Sequence, residues 1–385
     1  MSELPSPASG AQRSAEAAGV RLFLCGDVML GRGIDQVLPH PSNPCLFEAW
    51  VRSALDYVRL AERACGPIGR GLDYAYPWGE ALGVLERMQP HARIVNLETA
   101  VTTSDDAQPG KGIHYRMNPA NLPCLTRAGI DCCVLANNHV LDWGRAGLAQ
   151  TLECLRTAGL RTAGAGASAQ EAAAPAVVRL PAGRGRVLVF GLAAASSGVP
   201  VGWAATASAG GVNFLRQPCV QAADAVAEAT ARQRQPDDIV VVSVHWGGNW
   251  GFEIPHEERE FAHRLVDAGG ADIVHGHSSH HVKGMELRAG KLILYGCGDF
   301  LNDYEGIGGY GGLRPDLSLM YFPECDPATG RLLAMRAVPM RLRRFRLERA
   351  PADGVAWLRR TLDREGKALG TRVAADADGT LSLGW

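Results

Sequence analysis

Several short apolar runs in this chain end in loops whose side chains bind metals and move protons. Arg21–Cys25 leads into Gly26-Asp27-Val28-Met29-Leu30-Gly31-Arg32, Ala92–Val95 into Asn96-Leu97-Glu98-Thr99, and Asp131–Leu135 into Ala136-Asn137-Asn138-His139 with Asp142 just beyond. Asp238–Val244 leads into His245-Trp246-Gly247-Gly248, and Ala271–Val274 into His275-Gly276-His277-Ser278-Ser279-His280-His281. Lys291–Tyr295 leads into Gly296-Cys297-Gly298-Asp299-Phe300-Leu301-Asn302-Asp303. Carboxylates, amide oxygens and imidazoles, with no thiolate loop among them, suit a hard or borderline divalent ion such as Ca²⁺, Mn²⁺, Mg²⁺ or Zn²⁺. Such an ion polarises a carbonyl or phosphoryl oxygen or acidifies a bound water. Imidazoles not spent on the ion can move protons near neutral pH, above all when a carboxylate orients them.

Taken singly, each residue also has a plain structural reading. Asp27 after a glycine can be a turn or helix cap, Glu98 can cap the segment it opens, and Asn138 with His139 can be a satisfied polar turn. His245 can be a hydrogen-bonded core residue. Clustering favours chemistry: the chain has 11 histidines in 385 residues, and four of them fall within His275–His281. Arg32 and Lys283 are flexible cations beside these loops, suited to contacting substrate or to ordinary surface charge. Trp143, Trp246 and Trp250 sit next to the loops and can line a groove or pack in the core.

The elements that must position these groups read as an α/β fold. Strands are expected at Arg21–Cys25, Ala92–Leu97, Asp131–Leu135, Arg186–Leu192, Asp238–His245, Ala271–His275 and Lys291–Tyr295. Several are continuous in Val, Ile and Leu, as strands covered on both faces are. Helices are expected at about Phe47–Ala64, Trp78–Met88, Arg145–Ala158, Cys219–Gln233 and His256–Ala268, the last opened by Pro255 and closed by Gly269. Leu317–Phe322 and Leu332–Leu347 read as strands joined by a Pro/Gly turn, followed by a helix near Ala352–Glu365. The alternation of Arg341, Arg343, Arg344 and Arg346 with apolar residues reads as the wet face of a strand. In open α/β sheets ligands bind beyond the carboxyl ends of strands, so the polar loops can converge on one place.

Composition narrows the classes. Residues 1–19 read as a flexible tail, and 20–385 as a single domain. The tail lacks the basic start and apolar run of a secretory signal, and no stretch reaches the roughly 20 apolar residues that span a bilayer. With 39 basic against 40 acidic residues, net charge −1, there is no electrostatic reason to expect nucleic acid or an anionic membrane as partner. The ten cysteines are scattered without a CxxC pair, and Cys25, Cys132, Cys133 and Cys297 lie in strand-like runs. This pattern implies reduced thiols in a cytoplasmic protein rather than a disulfide framework or zinc knuckle.

In order along the chain, these motifs resemble those of the CapA family, named for poly-γ-glutamate capsule synthesis, over about Arg21 to Phe345. The resemblance implies a calcineurin-like, or metallophosphatase, fold: a four-layer sandwich of two packed mixed sheets flanked by helices. By position it implies Asp27, Glu98, Asn138, His245 and His277 as metal ligands, with His139 and His280 as catalytic imidazoles. Asp142 and Asp299 are their candidate carboxylate partners, and Arg32, Trp246 and Lys283 are candidate substrate contacts. The chain departs from the wider metallophosphatases: Met29 stands where their first motif has a histidine, and Glu98 where their second has an aspartate. His277 and His280 are also spaced by two residues rather than one. A single ion is therefore expected.

Three functions follow from the resemblance: capsule polyglutamate synthesis, metal-dependent hydrolysis of a phosphoester or amide, and metal-dependent epimerisation. The last is the activity of a soluble branch acting on the C-terminal residue of a lasso-peptide precursor. Epimerisation needs an acid, a base and an electrophile around one Cα, which a metal centre with spare His–carboxylate pairs can supply. The reading favoured here is a metal-dependent peptide epimerase, with hydrolysis or capsule synthesis as the alternative.

Overall fold

The computed structural model of the chain describes residues 19–309 and 312–385. Residues 1–18 of the expected tail lie outside the described residues. Two mixed sheets dominate. The larger has Val20–Val28 near its middle, flanked on one side by the parallel strands Ala92–Leu97, Cys132–Val134 and Arg161–Ala163. On its other side run the antiparallel strands Leu317–Cys325 and Leu332–Arg343. The smaller sheet is built on parallel Arg186–Ala194, Ile239–His245, Ile273–His277 and Lys291–Leu294, with antiparallel strands added at Ala176–Arg179 and Met285–Arg288.

The period of two along each strand decides what lies between the layers. Val187, Val189, Val241 and Ile273 join Leu22, Leu24 and Ile94 of the other sheet in one core. The intervening Leu188, Phe190, Val240, Val242 and Val274 face a second core with Phe261 and Leu265 of the helix His256–Asp267 and Ala223 of Val220–Gln233. On the other side, Val58 of Ala54–Cys65, Val84 of Ala81–Met88 and Leu148 of Gly144–Thr157 join the first core. Continuous Val/Ile runs were therefore a sound sign of strands covered on both faces. Among the described residues no helix is long and apolar enough to cross a membrane.

Local differences from the sequence reading have physical causes. The helix expected from Phe47 begins at Ala54, because Ser53 is extended and its hydroxyl accepts from Leu55 N–H as the cap. The strand expected through Leu347 turns at Arg344 and Phe345, both at positive φ, and returns as Arg346–Arg349. Arg344 therefore lies in a hairpin turn rather than on a strand face. Phe345 in that turn is fully buried.

Candidate metal centre

The register of three adjacent strands sets the first part of the site. Asp27, on Val20–Val28, lies level with Asn96 on one side and, on the other, with Asp299 of the short parallel strand Asp299–Leu301. Gly26 allows this: a Cβ there would stand 1.6 Å from the carbonyl oxygen of Gly298. Asn96 Nδ2 donates to Asp27 Oδ1 at 2.7 Å, while Asn96 Oδ1 accepts from Asn137 Nδ2 at 3.1 Å, so the amide is held in one orientation. Ser278 N–H donates to Asp27 Oδ2 at 3.2 Å from a backbone at φ +97°, a conformation rarely adopted by residues with a side chain.

The smaller sheet supplies the imidazoles. His245 and His277 are paired in register on neighbouring parallel strands, on the face that meets the other sheet. Sequence reading placed His277 in a loop; the strand in fact extends to it, because the ladder to Ile239–His245 continues through that position. The Nδ1 atoms of His245 and His277 are 2.8 Å apart, and His277 Nδ1 is 3.7 Å from Asp27 Oδ1. Ligand atoms of Asp27, His245 and His277 all lie within 4.8 Å of one another. Asn138 Oδ1 is 3.1 Å from His245 Nε2, and Glu98 Oε1 is 3.8 Å from the same nitrogen.

A second group shares Asp27. His280 and Asp299 also bring ligand atoms within 4.8 Å of it. The expectation of a single ion rested on Met29, Glu98 and the His277–His280 spacing; Met29 itself is buried, with its sulfur 3.9 Å from the Tyr304 hydroxyl. With methionine at that position, Asp27, His280 and Asp299 still form a second group with the donor types and spacing for a cation. Of this set, Asp27 was expected as a metal ligand and His280 and Asp299 as catalytic groups.

These residues suit a divalent cation on their own chemistry. Glu98 Oε2 is buried with no hydrogen-bond partner, a costly state for a carboxylate oxygen unless a cation meets it. All the donors in these groups are oxygen or nitrogen, and the ten cysteines are free thiols outside both groups. Burial and the neighbouring Asp299 push Asp27 up to about 7, and burial with Asp27 beside it raises Glu98 strongly. Burial also holds His245 and His277 well below the usual histidine range.

Two His–Asp pairs border this centre. His139 Nδ1 is 2.7 Å from Asp142 Oδ2, and its Nε2 lies 3.7 Å from Glu98 Oε1. His280 Nδ1 is 2.9 Å from Asp299 Oδ1, and Asn302 Nδ2 donates to the other Asp299 oxygen at 2.9 Å. Their environments differ. Burial, helped by the Lys111 ammonium, lowers His139 to about 4 against the pull of Asp142. Burial also works against a charged His280, but Asp299 outweighs it and the imidazole is raised. The two imidazoles are thus pushed in opposite directions, His139 down and His280 up.

The three candidate substrate contacts are all buried. Arg32, expected to be a flexible surface cation, is buried. Its Nε donates to Asp303 at 2.8 Å and Nη1 to Glu48 at 2.9 Å, and its guanidinium lies 3.6 Å from the centroid of the Tyr57 ring. Trp246 is buried in the helix-side core, stacked on Tyr295 and donating to the Tyr295 carbonyl at 3.0 Å. Lys283 is buried and donates to the Glu253 carbonyl at 3.1 Å. The expected exposure fails for a common reason: residues next to a site in sequence alternate in direction on a strand or turn inward at a loop, so adjacency does not set exposure. Of the three tryptophans near the loops, Trp143 is also core, while Trp250 is 38% exposed with its ring 5.1 Å from that of His280.

Sequence reading missed Lys111, which pairs with Asp142 and approaches His139 Nδ1 at 3.0 Å. It sits in Pro109-Gly110-Lys111-Gly112, a turn with no periodicity to mark it. Asn96 was quoted within a motif but not as a site residue. It can be found from its place two residues before Glu98, at the end of a strand parallel to the one carrying Asp27.

The family model described as bacterial capsule synthesis protein PGA_cap matches residues 21–304. The chain belongs to this family. It is 46% identical over 365 residues to a protein of Mycobacterium tuberculosis described as a probable polyglutamine synthesis accessory protein, covering 94% of this chain and 96% of that one. It is 26% identical over 281 residues to the PGA biosynthesis protein CapA of Bacillus subtilis, covering 72% of this chain and 62% of the relative. The capsule biosynthesis protein CapA of Bacillus anthracis is 23% identical over 288 residues, covering 73% of this chain and 59% of the relative. The mixed α/β architecture with helix-flanked sheets agrees with this family.

Proposed function

We propose that this PGA_cap chain is a metal-dependent acid–base enzyme acting on a peptide or polyglutamyl chain, and that its step is inversion of a Cα beside a carbonyl or carboxylate. The observation that carries this reading is the pair of His–Asp dyads meeting one carboxylate centre by different routes. His139 reaches it past Glu98, and His280 through Asp299 and Asp27. Asp27, Glu98, Asn138, His245 and His277 are the proposed holders of the ion, with His280 and Asp299 available to a second. A bound divalent ion supplies an electrophile for the carbonyl oxygen next to the reacting carbon.

The protein's own groups divide the remaining work. His139 is the stronger candidate to take the Cα proton, since burial keeps it neutral and Asp142 can stabilise the imidazolium that forms. His280, more readily protonated and oriented by Asp299, is placed to return a proton. The relatives' descriptions, which speak of polyglutamine and PGA synthesis, support a peptide-like substrate. The C-terminal residue of a ribosomally made lasso-peptide precursor is the finer proposal. Ten free cysteines support a reducing, cytoplasmic setting.

One observation favours a second reading. The Asp27, His280 and Asp299 group offers the second cation position that a hydrolase of phosphoesters or amides would use. Incubation in D₂O separates the two. An epimerase that exchanges its abstracted proton with solvent adds one deuterium at a single Cα and releases no fragment. New termini or free phosphate, with no deuterium on carbon, would remove the epimerase and leave the hydrolase. A binding partner without catalysis would give neither signal and would keep its partner in chelator.

A further inference from the structure

We infer that Ser243 and His275 are positioning residues that fix the tautomer of His277, presenting its bare Nδ1 to the metal centre. The inference rests on the metal-centre reading above but concerns residues that reading does not use.

The relay starts at a backbone carbonyl. His275 Nε2 lies 2.8 Å from the carbonyl oxygen of Cys25, two residues before Asp27 on the neighbouring sheet. A carbonyl only accepts, so His275 carries its proton on Nε2, and its neutral ring is bare at Nδ1. That nitrogen is 3.1 Å from Ser243 Oγ and can only accept the hydroxyl proton. With its one proton used, Ser243 Oγ has only lone pairs left for His277 Nε2, 2.8 Å away. His277 then donates from Nε2, which leaves Nδ1 unprotonated; with no ion bound it accepts from His245 Nδ1 at 2.8 Å, and Asp27 Oδ1 lies 3.7 Å away.

Strand register builds the relay. Ser243 lies opposite His275, and His245 opposite His277, in the parallel ladder, so all four side chains project from one face. Ser243, His275 and His277 have no solvent exposure, so water cannot replace a missing partner. Ser243 interrupts the otherwise apolar run 239–244 of the strand Ile239–His245, a buried hydroxyl that needs its hydrogen bonds to be tolerated. A hydrogen bond on the far nitrogen of a ligating histidine commonly sets both tautomer and ring orientation, and its loss weakens metal binding by about 10–100-fold.

The test uses the full chain with histidine-selective ¹⁵N labelling, and Mn²⁺ and Zn²⁺ as probes. In the metal-free wild type, the His277 ring, assigned through a His277→Gln variant, should carry its proton on Nε2. Ser243→Ala should mix the tautomers and raise the dissociation constant for either ion about 10–100-fold. Ser243→Thr, which keeps the hydroxyl, should restore both. A wild-type His277 protonated on Nδ1, or a Ser243→Ala protein that binds both ions as tightly as wild type, overturns the inference. Should Ser243→Ala fail to fold, the wild-type tautomer decides. Should the wild type take up neither ion, the metal-centre reading fails on its own count, and the relay again stands or falls on the tautomer.

Discussion

Replacing Asp27 by Ala is expected to remove bound metal and turnover together, whereas His139→Ala should lose turnover with its metal intact. Asp27 sits level with Asn96 and Asp299 and is shared by both donor groups, so its loss opens each of them. His139 touches the centre only past Glu98 at 3.7 Å and is oriented from behind by Asp142. Its removal should cost about 10²–10⁴-fold in rate, the usual worth of a positioned acid or base. His280→Ala discriminates between its two possible parts. If it acts as an acid, metal content and the thermal transition stay nearly unchanged while turnover falls. If it holds an ion through the Asp27, His280 and Asp299 group, elemental analysis of the variant shows metal lost. An Asp27→Ala protein with full metal content would remove Asp27 from the ligand set.

Arg32→Ala is expected to destabilise the fold by about 3–5 kcal/mol, because it leaves the buried carboxylates of Asp303 and Glu48 without their cation. Asp303 retains the Gly33 N–H at 2.8 Å and the Tyr115 hydroxyl at 3.3 Å, which satisfy its oxygens but do not neutralise its charge. Arg32→Lys should recover only part of the loss, since an ammonium cannot serve Asp303 through two nitrogens and Glu48 through a third while lying on the Tyr57 ring. Denaturant unfolding measures the effect. Unchanged stability together with a raised KM would return Arg32 to the substrate-contact role that its place beside the first motif suggested.

What could be read from the chain itself follows from local rules. Runs such as Ile239–Val244 and Ile273–Val274 have no alternation, which marks strands covered on both faces, and Pro255 and Gly269 bracket a helix as expected. Residues at or just beyond the ends of such strands, from both sheets, were legible together as candidates: Asp27, Asn138, His139, His245, His277, His280 and Asp299. The direction and burial of each side chain were not. Arg32, Trp246 and Lys283 stand beside the same motifs and yet are held inside the fold by Asp303, Tyr295 and Glu253.

The sequence by itself determined the layered α/β character and the strand ends that carry carboxylate, amide and imidazole side chains. Only the tertiary structure decided that Asp27 is shared by two donor groups, that Lys111 reaches the His139–Asp142 pair, and that Ser243 and His275 stand behind His277. The physical reason is that type and periodicity are properties of neighbouring residues. Register, by contrast, comes from hydrogen bonds between strands far apart in the chain, such as those that set His245 beside His277 and Asp27 beside Asp299.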